Sequence, residues 1–166
     1  DGTSGSAEQR AGRIVYEHST DSLQVSTANT LAFKIDSSGS VNKPNNPAFY
    51  AYMATNNAVY SAGTIIPWAN THIDTRSAFQ TSGSDLGRFI VPTTGIYYFG
   101  WRLNRLGDSR FDIGIYKNGS IQYVDELRTD YDSNNWQAES SHYLMSCTAG
   151  QKIDLRIFSV TNAGSG

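Results

Sequence analysis

The chain has 166 residues, a formal net charge of −2 and one cysteine, enough for one domain with a sizeable core and a little extra. Hydrophobic residues make up 39%, charged residues 17% and aromatic residues 12%, so the polar surface is mainly Ser, Thr, Asn, Gly and Gln, a balance that suits exposed β-strands. It argues against a nucleic-acid binder, for want of a basic patch, against membrane insertion, for want of an apolar run of about 18 residues, and against a disulfide framework.

Residues 1–12 are small and polar and read as linker or stalk. Arg13–His18, Leu23–Thr27 and Leu31–Ile35 each read as a short strand, separated by turn chemistry at Ser19-Thr20-Asp21-Ser22 and closed by Ser37-Ser38-Gly39-Ser40. This 13–43 segment is a β-meander too small for a core of its own. Burial between identical chains on a three-fold axis is the remedy expected for it. Lys43-Pro44-Asn45-Asn46-Pro47 breaks pairing and marks the junction, so the head is placed at 44–166.

From Ala48 onward strands and turns alternate. Ala48–Met53 is the first strand, Thr64–Ile66 and Ile73–Phe79 sit in irregular company, and Gly87–Val91 precedes Pro92. The strongest strand is Gly95–Leu103, with Tyr97, Phe99, Trp101 and Leu103 on one face. Phe111–Tyr116 and Ser120–Val124 flank Asn118-Gly119, a two-residue type I′ hairpin signal. Trp136–Cys147 and Lys152–Val160 complete about eight or nine antiparallel strands, which implies a sandwich or jelly roll.

The run Phe89-x5-Gly95-x-Tyr97-x-Phe99-x-Trp101, preceded by Trp68-x5-Asp74-x4-Phe79, resembles the signature of the complement globular-head (gC1q) family. Pro47–Ala51, Ile115–Gly119 and Leu144–Ile157 resemble that family's opening strand, central hairpin and late strand pair. Two departures stand out: Trp68 replaces the family's Phe, and the Phe79–Phe89 gap is a few residues long. The resemblance implies an all-β, antiparallel jelly-roll β-sandwich of ten strands that trimerises and is related to the tumour necrosis factor fold. Nothing after Val160 supplies the family's last strand, so the head is expected to lack it. Arg13–Leu23 with Ile35–Val41 resembles a recurrent segment of phage tail fibres, and no collagen-type Gly-X-Y repeat is present. Both ends lie in Gly/Ser-rich stretches and read as cuts in a longer polypeptide.

His18, His72 and His142 lack metal-ligand spacing and read as structural or exposed. Cys147 reads as a small buried hydrophobe. Adjacent Asp125 and Glu126 face opposite sides of a strand, poor geometry for a glycosidase pair. Asn118-Gly119-Ser120 fits a glycosylation triplet, but the hairpin explains it. No catalytic set, cofactor site or metal ligands emerge. The candidate ligand-contact loop is Asp130, Tyr131, Asp132, Asn134, Asn135 and Trp136, whose aromatic and amide side chains suit sugars and protein surfaces. The spacing of Asp130, Asp132 and Asn134 faintly resembles a calcium loop but lacks its Gly and closing Glu. The core and trimer-interface candidates are Phe49, Tyr97, Phe99, Trp101 and Phe158.

The expectation is therefore a non-enzymatic virion protein. It would be the homotrimeric tip of a tail fibre, extracellular on the particle, touching other virion tail proteins and a host cell-surface glycan or protein. The alternatives are a secreted gC1q-type binding module and a polysaccharide-degrading tailspike.

Overall fold

The computed structural model describes residues 11–54, 60–106, 109–126 and 136–162. The chain divides into two compact units between Ala48 and Phe49.

The first unit is one antiparallel sheet in the order β1-β2-β3-β4, made of β1 (Gly12–Glu17), β2 (Ser22–Thr27), β3 (Thr30–Ile35) and β4 (Val41–Asn42). Ala28 and Asn29, with φ of 48° and 59°, connect β2 to β3, where Thr27 pairs with Thr30. Positive φ at both residues is the condition for a type I′ turn. The sheet gains one strand over the three expected. The reason is Asp36, whose carboxylate accepts the N–H of Ser38 at 2.9 Å and of Ser40 at 3.0 Å. That turn brings Val41 opposite Ile35. No hydrophobic side chain of this unit is buried among the described residues; the buried ones are Ser22 and Ser26.

The second unit is an all-β jelly-roll sandwich. Its strands are β5 (Phe49–Tyr52), β6 (Asn70–Asp74), β7 (Phe79–Gln80), β8 (Arg88–Ile90), β9 (Gly95–Leu106), β10 (Ser109–Lys117), β11 (Ser120–Glu126), β12 (Trp136–Cys147) and β13 (Lys152–Asn162). One layer is a five-stranded sheet in the order β11-β10-β13-β8-β7. The facing layer consists of two antiparallel ribbons, β12-β9 and β5-β6. Asn118 and Gly119, with φ of 50° and 82°, form the two-residue turn between β10 and β11, where Lys117 pairs with Ser120. That turn is tied to β13, because Asn118 donates its N–H to the Lys152 carbonyl and accepts the Lys152 N–H at its Oδ1, both at 2.8 Å.

Period-two alternation sends Phe99, Trp101 and Leu103 of β9 between the layers, where they meet Phe89, Ile113, Ile115, Met145, Cys147, Ile153 and Ile157. Phe49 stacks on Phe79 at 4.9 Å and on Phe89 at 4.8 Å, joining the β5–β6 ribbon to the same core. The segment 63–66, which reads as irregular, runs beside β13. There Gly63 and Ile66 donate to Ile157 and Leu155, and fully buried Ile66 enters the core.

Phe158, a core or trimer-interface candidate, lies outside the core of one chain. The register of β13 on β10 shifts between Asp112 and Ile113, so that Ser159 and Ile157 face them and Phe158 falls in the bulge. Ile157 points inward and Phe158 outward, 45% exposed.

Candidate functional site

Phe99 and Trp101 are core residues of a single chain, and Phe49 and Tyr97 are partly buried against that core. The Tyr97 hydroxyl donates to the Thr93 carbonyl at 2.7 Å. These four side chains are occupied within one copy. Large exposed side chains lie on the opposite faces of the same strands.

On β9 the outward residues Ile96 and Tyr98 are 75% and 66% exposed. The register sets Tyr98 opposite Leu144 of β12, itself 62% exposed, and Gly100 opposite His142. The Tyr98 ring stacks on His142 at 5.5 Å and covers Gly100, where a Cβ would meet the ring at 3.3 Å. Ile96, Tyr98 and Leu144 thus form an apolar patch edged by an imidazole. The outer face of the β5–β6 ribbon is similar. His72 is stacked between Tyr50 at 5.3 Å and Tyr52 at 4.4 Å, with exposed Ile73 paired to Tyr50. Sequence reasoning assigned only one face of β9. The signal was present, because Gly95–Leu103 carries apolar side chains on both faces, as strands covered on both sides do.

The outer side of the five-stranded sheet has a different chemistry. Lys152 Nζ meets Asp85 at 2.8 Å, Asp85 meets Arg88 at 2.6 Å, Arg88 Nε reaches Asp154 at 3.3 Å, and Asp154 binds Arg156 at 2.6 Å. The Arg156 guanidinium lies 4.3 Å from the Tyr116 ring centroid. Hydrogen bonds from Lys152 and then Arg88 hold the Asp85 carboxyl below the usual aspartate range. The bond to Asp154 raises the Arg156 pKa. With every acid matched to a base, this ladder is a fastener across β8 and β13.

Asp130, Tyr131, Asp132, Asn134 and Asn135 lie outside the described residues, and Trp136 opens β12. Asp125 pairs with Ile113 and Glu126 with Asp112 on the β11–β10 ladder. His18 makes an edge contact with Tyr16 at 4.9 Å. Cys147 is buried, and burial pushes its thiol pKa up. Among the described residues no three His, Cys, Asp or Glu side chains converge as a metal site.

The family model for the C1q domain matches residues 48–165, most of the chain and the whole sandwich. The chain belongs to the C1q-domain family. No curated protein matches it in sequence. C1q domains typically form trimers and bind ligands, and are generally non-enzymatic. In this C1q domain the signature aromatics Tyr97, Phe99 and Trp101 serve the sandwich of one copy. Their outward neighbours, Ile96 and Tyr98, supply surface.

Proposed function

We propose that this protein is a homotrimeric, non-enzymatic binding module whose copies associate through the outward face of the β9–β12 ribbon. The observation that carries the reading is the exposed patch of Ile96, Tyr98 and Leu144. Large apolar side chains grouped on one face mark association surfaces, whereas single ones do not. Burying such side chains stabilises an interface by about 1.5–3 kcal/mol each. The test is light scattering on the full chain and on the Tyr98→Ser/Leu144→Ser variant. The wild type is expected as a trimer and the variant as a folded monomer. A variant that stays trimeric refutes this interface, and a monomeric wild type refutes the reading.

Within it, we place the module at the tip of a virion tail fibre, extracellular on the particle, with other tail proteins as neighbours. The support is the resemblance of Arg13–Leu23 and Ile35–Val41 to tail-fibre segments. The ligand would be a host-surface glycan or protein, met by the segment holding Asp130, Tyr131, Asp132, Asn134, Asn135 and Trp136. Three equivalent weak sites gain through effective concentration. Binding of the recombinant protein to intact bacterial cells, competed by extracted surface glycan, tests this assignment. Binding only to animal-cell surfaces would favour a secreted module instead.

A further inference from the structure

The N-terminal unit is one sheet deep, and its register sorts its side chains by face. Ile14, Val25 and Phe33 form one cross-strand row. Tyr16, Leu23, Ile35 and Val41 form the next. Residues opposite one another in an antiparallel ladder, or two apart on a strand, share a face. Both rows therefore project from one side, whose polar members are Thr27, two residues on from Val25, and the Thr30 it pairs with at the hairpin end. The reverse side carries Arg13, Glu17, Gln24 and Lys34.

The apolar side stands open in one copy: Ile14, Tyr16 and Val41 are 74%, 51% and 59% exposed. A single layer with one apolar face needs a second layer to be stable. We propose that the same face of two further copies of this chain supplies it, an inference that rests on the trimeric reading above. Three observations favour copies of itself. The face has no charge to select a foreign partner. Within the two apolar rows the one hydroxyl, on Tyr16, donates to Asp21 of its own chain, so the ring can be covered without stranding a polar group. And β4 ends at Asn42, shortly before the head begins at Phe49, so a trimeric head holds three such faces at high effective concentration.

The test uses the full chain. Hydroxyl-radical footprinting at Tyr16 and Phe33 is read beside the solution mass, for the wild type and for the Tyr98→Ser/Leu144→Ser variant. An Ile14→Ser/Val41→Ser variant and an Arg13→Ser control are diluted in parallel. Ile14 and Val41 are exposed in one copy, so serine there leaves the single-chain fold in place. The expected result is a wild-type trimer with Tyr16 and Phe33 protected several-fold relative to the head-variant monomer. Ile14→Ser/Val41→Ser should dissociate at a concentration at least about tenfold higher than wild type, and Arg13→Ser at an unchanged one. A trimer whose Tyr16 and Phe33 label as fast as in the monomer keeps the head reading and overturns this one. Protection that persists in the monomer means the chain covers its own face, and also overturns it. A chain monomeric at every concentration overturns both.

Discussion

Gly87 is the position where one methyl group should cost most. Its φ is +81°, and a Cβ built on it would lie 2.4 Å from the Ile66 carbonyl oxygen and 3.2 Å from Ile65 Cγ2. The obstacle is backbone, and it is pinned: the Ile66 N–H donates to Leu155 at 2.9 Å and its side chain is fully buried. Gly87 cannot retreat easily either, since its N–H donates to Gln80 at 2.8 Å. Left-handed backbone costs a residue with a Cβ roughly 1–2 kcal/mol. Forcing extra volume into a packed site adds about 1–3 kcal/mol. Gly87→Ala should therefore destabilise the head by about 2–5 kcal/mol. Gly119→Ala is the matched control. Its φ is +82°, but its Cβ would meet only Arg156 Nη2 at 3.9 Å, so roughly 1–2 kcal/mol is expected from the backbone alone. Urea unfolding followed by tryptophan fluorescence reads the difference, at one fixed chain concentration because association feeds into apparent stability. Equal losses in the two variants would refute the close approach of Gly87 to Ile66 and the packing of the 63–66 segment argued from it.

Asp154→Asn should cost about 2–4 kcal/mol in the same assay, because removing a carboxylate only 1% exposed leaves the Arg156 guanidinium without its acid and Arg88 with Asp85 alone. The partial exposure of Arg88 and Arg156 keeps the loss below that of a fully buried pair. Acid should destabilise the protein in a definite window. The Asp85 carboxyl is depressed by Lys152 and Arg88, and Asp36 by the Ser38 and Ser40 groups that bond it. Depressed acids stabilise the fold above their unfolded pKa, about 3.9 for aspartate, and lose that contribution as pH falls through the folded value. Urea midpoints between pH 3 and pH 7 should hold steady above about 4.5 and fall below it, and Asp85→Asn should flatten part of the fall. Cys147 is 1% exposed with its thiol pKa raised, so a disulfide reagent at pH 8 should leave the native chain unmodified and titrate one thiol per chain in urea. Fast labelling of the native chain would contradict its place in the core.

Much of the head was legible because its signals are local. Asn118-Gly119 names its own turn, and aromatics two apart name a strand face. The 136–147 strand matches in both bounds. What escaped depends on neighbours that sequence distance hides. The stretch Ile73–Phe79 breaks into two strands because the Asp74 carboxylate accepts the Ala78 and Phe79 N–H groups at 3.0 and 2.9 Å. Asn70-Thr71-His72 lies in strand β6 because Tyr52 and Ala51 pair with it. Phe158 turns outward through a bulge defined only by the register against β10. At the candidate assembly surface the ambiguity was of another kind. Apolar residues on both faces of β9 leave alternation unable to say which face a single chain keeps, and Phe89 decides it by packing against Tyr97 and Phe99.

The ladder from Lys152 through Asp85, Arg88 and Asp154 to Arg156 also bears on how this sequence can drift over generations. Charges alternate in sign along it, and each inner member serves two partners. Losing one member strands the next, whereas exchanging neighbours together for apolar residues of similar bulk can be close to neutral. Selection should therefore act on these five positions as a block, with replacements fixed in compensating sets among descendants.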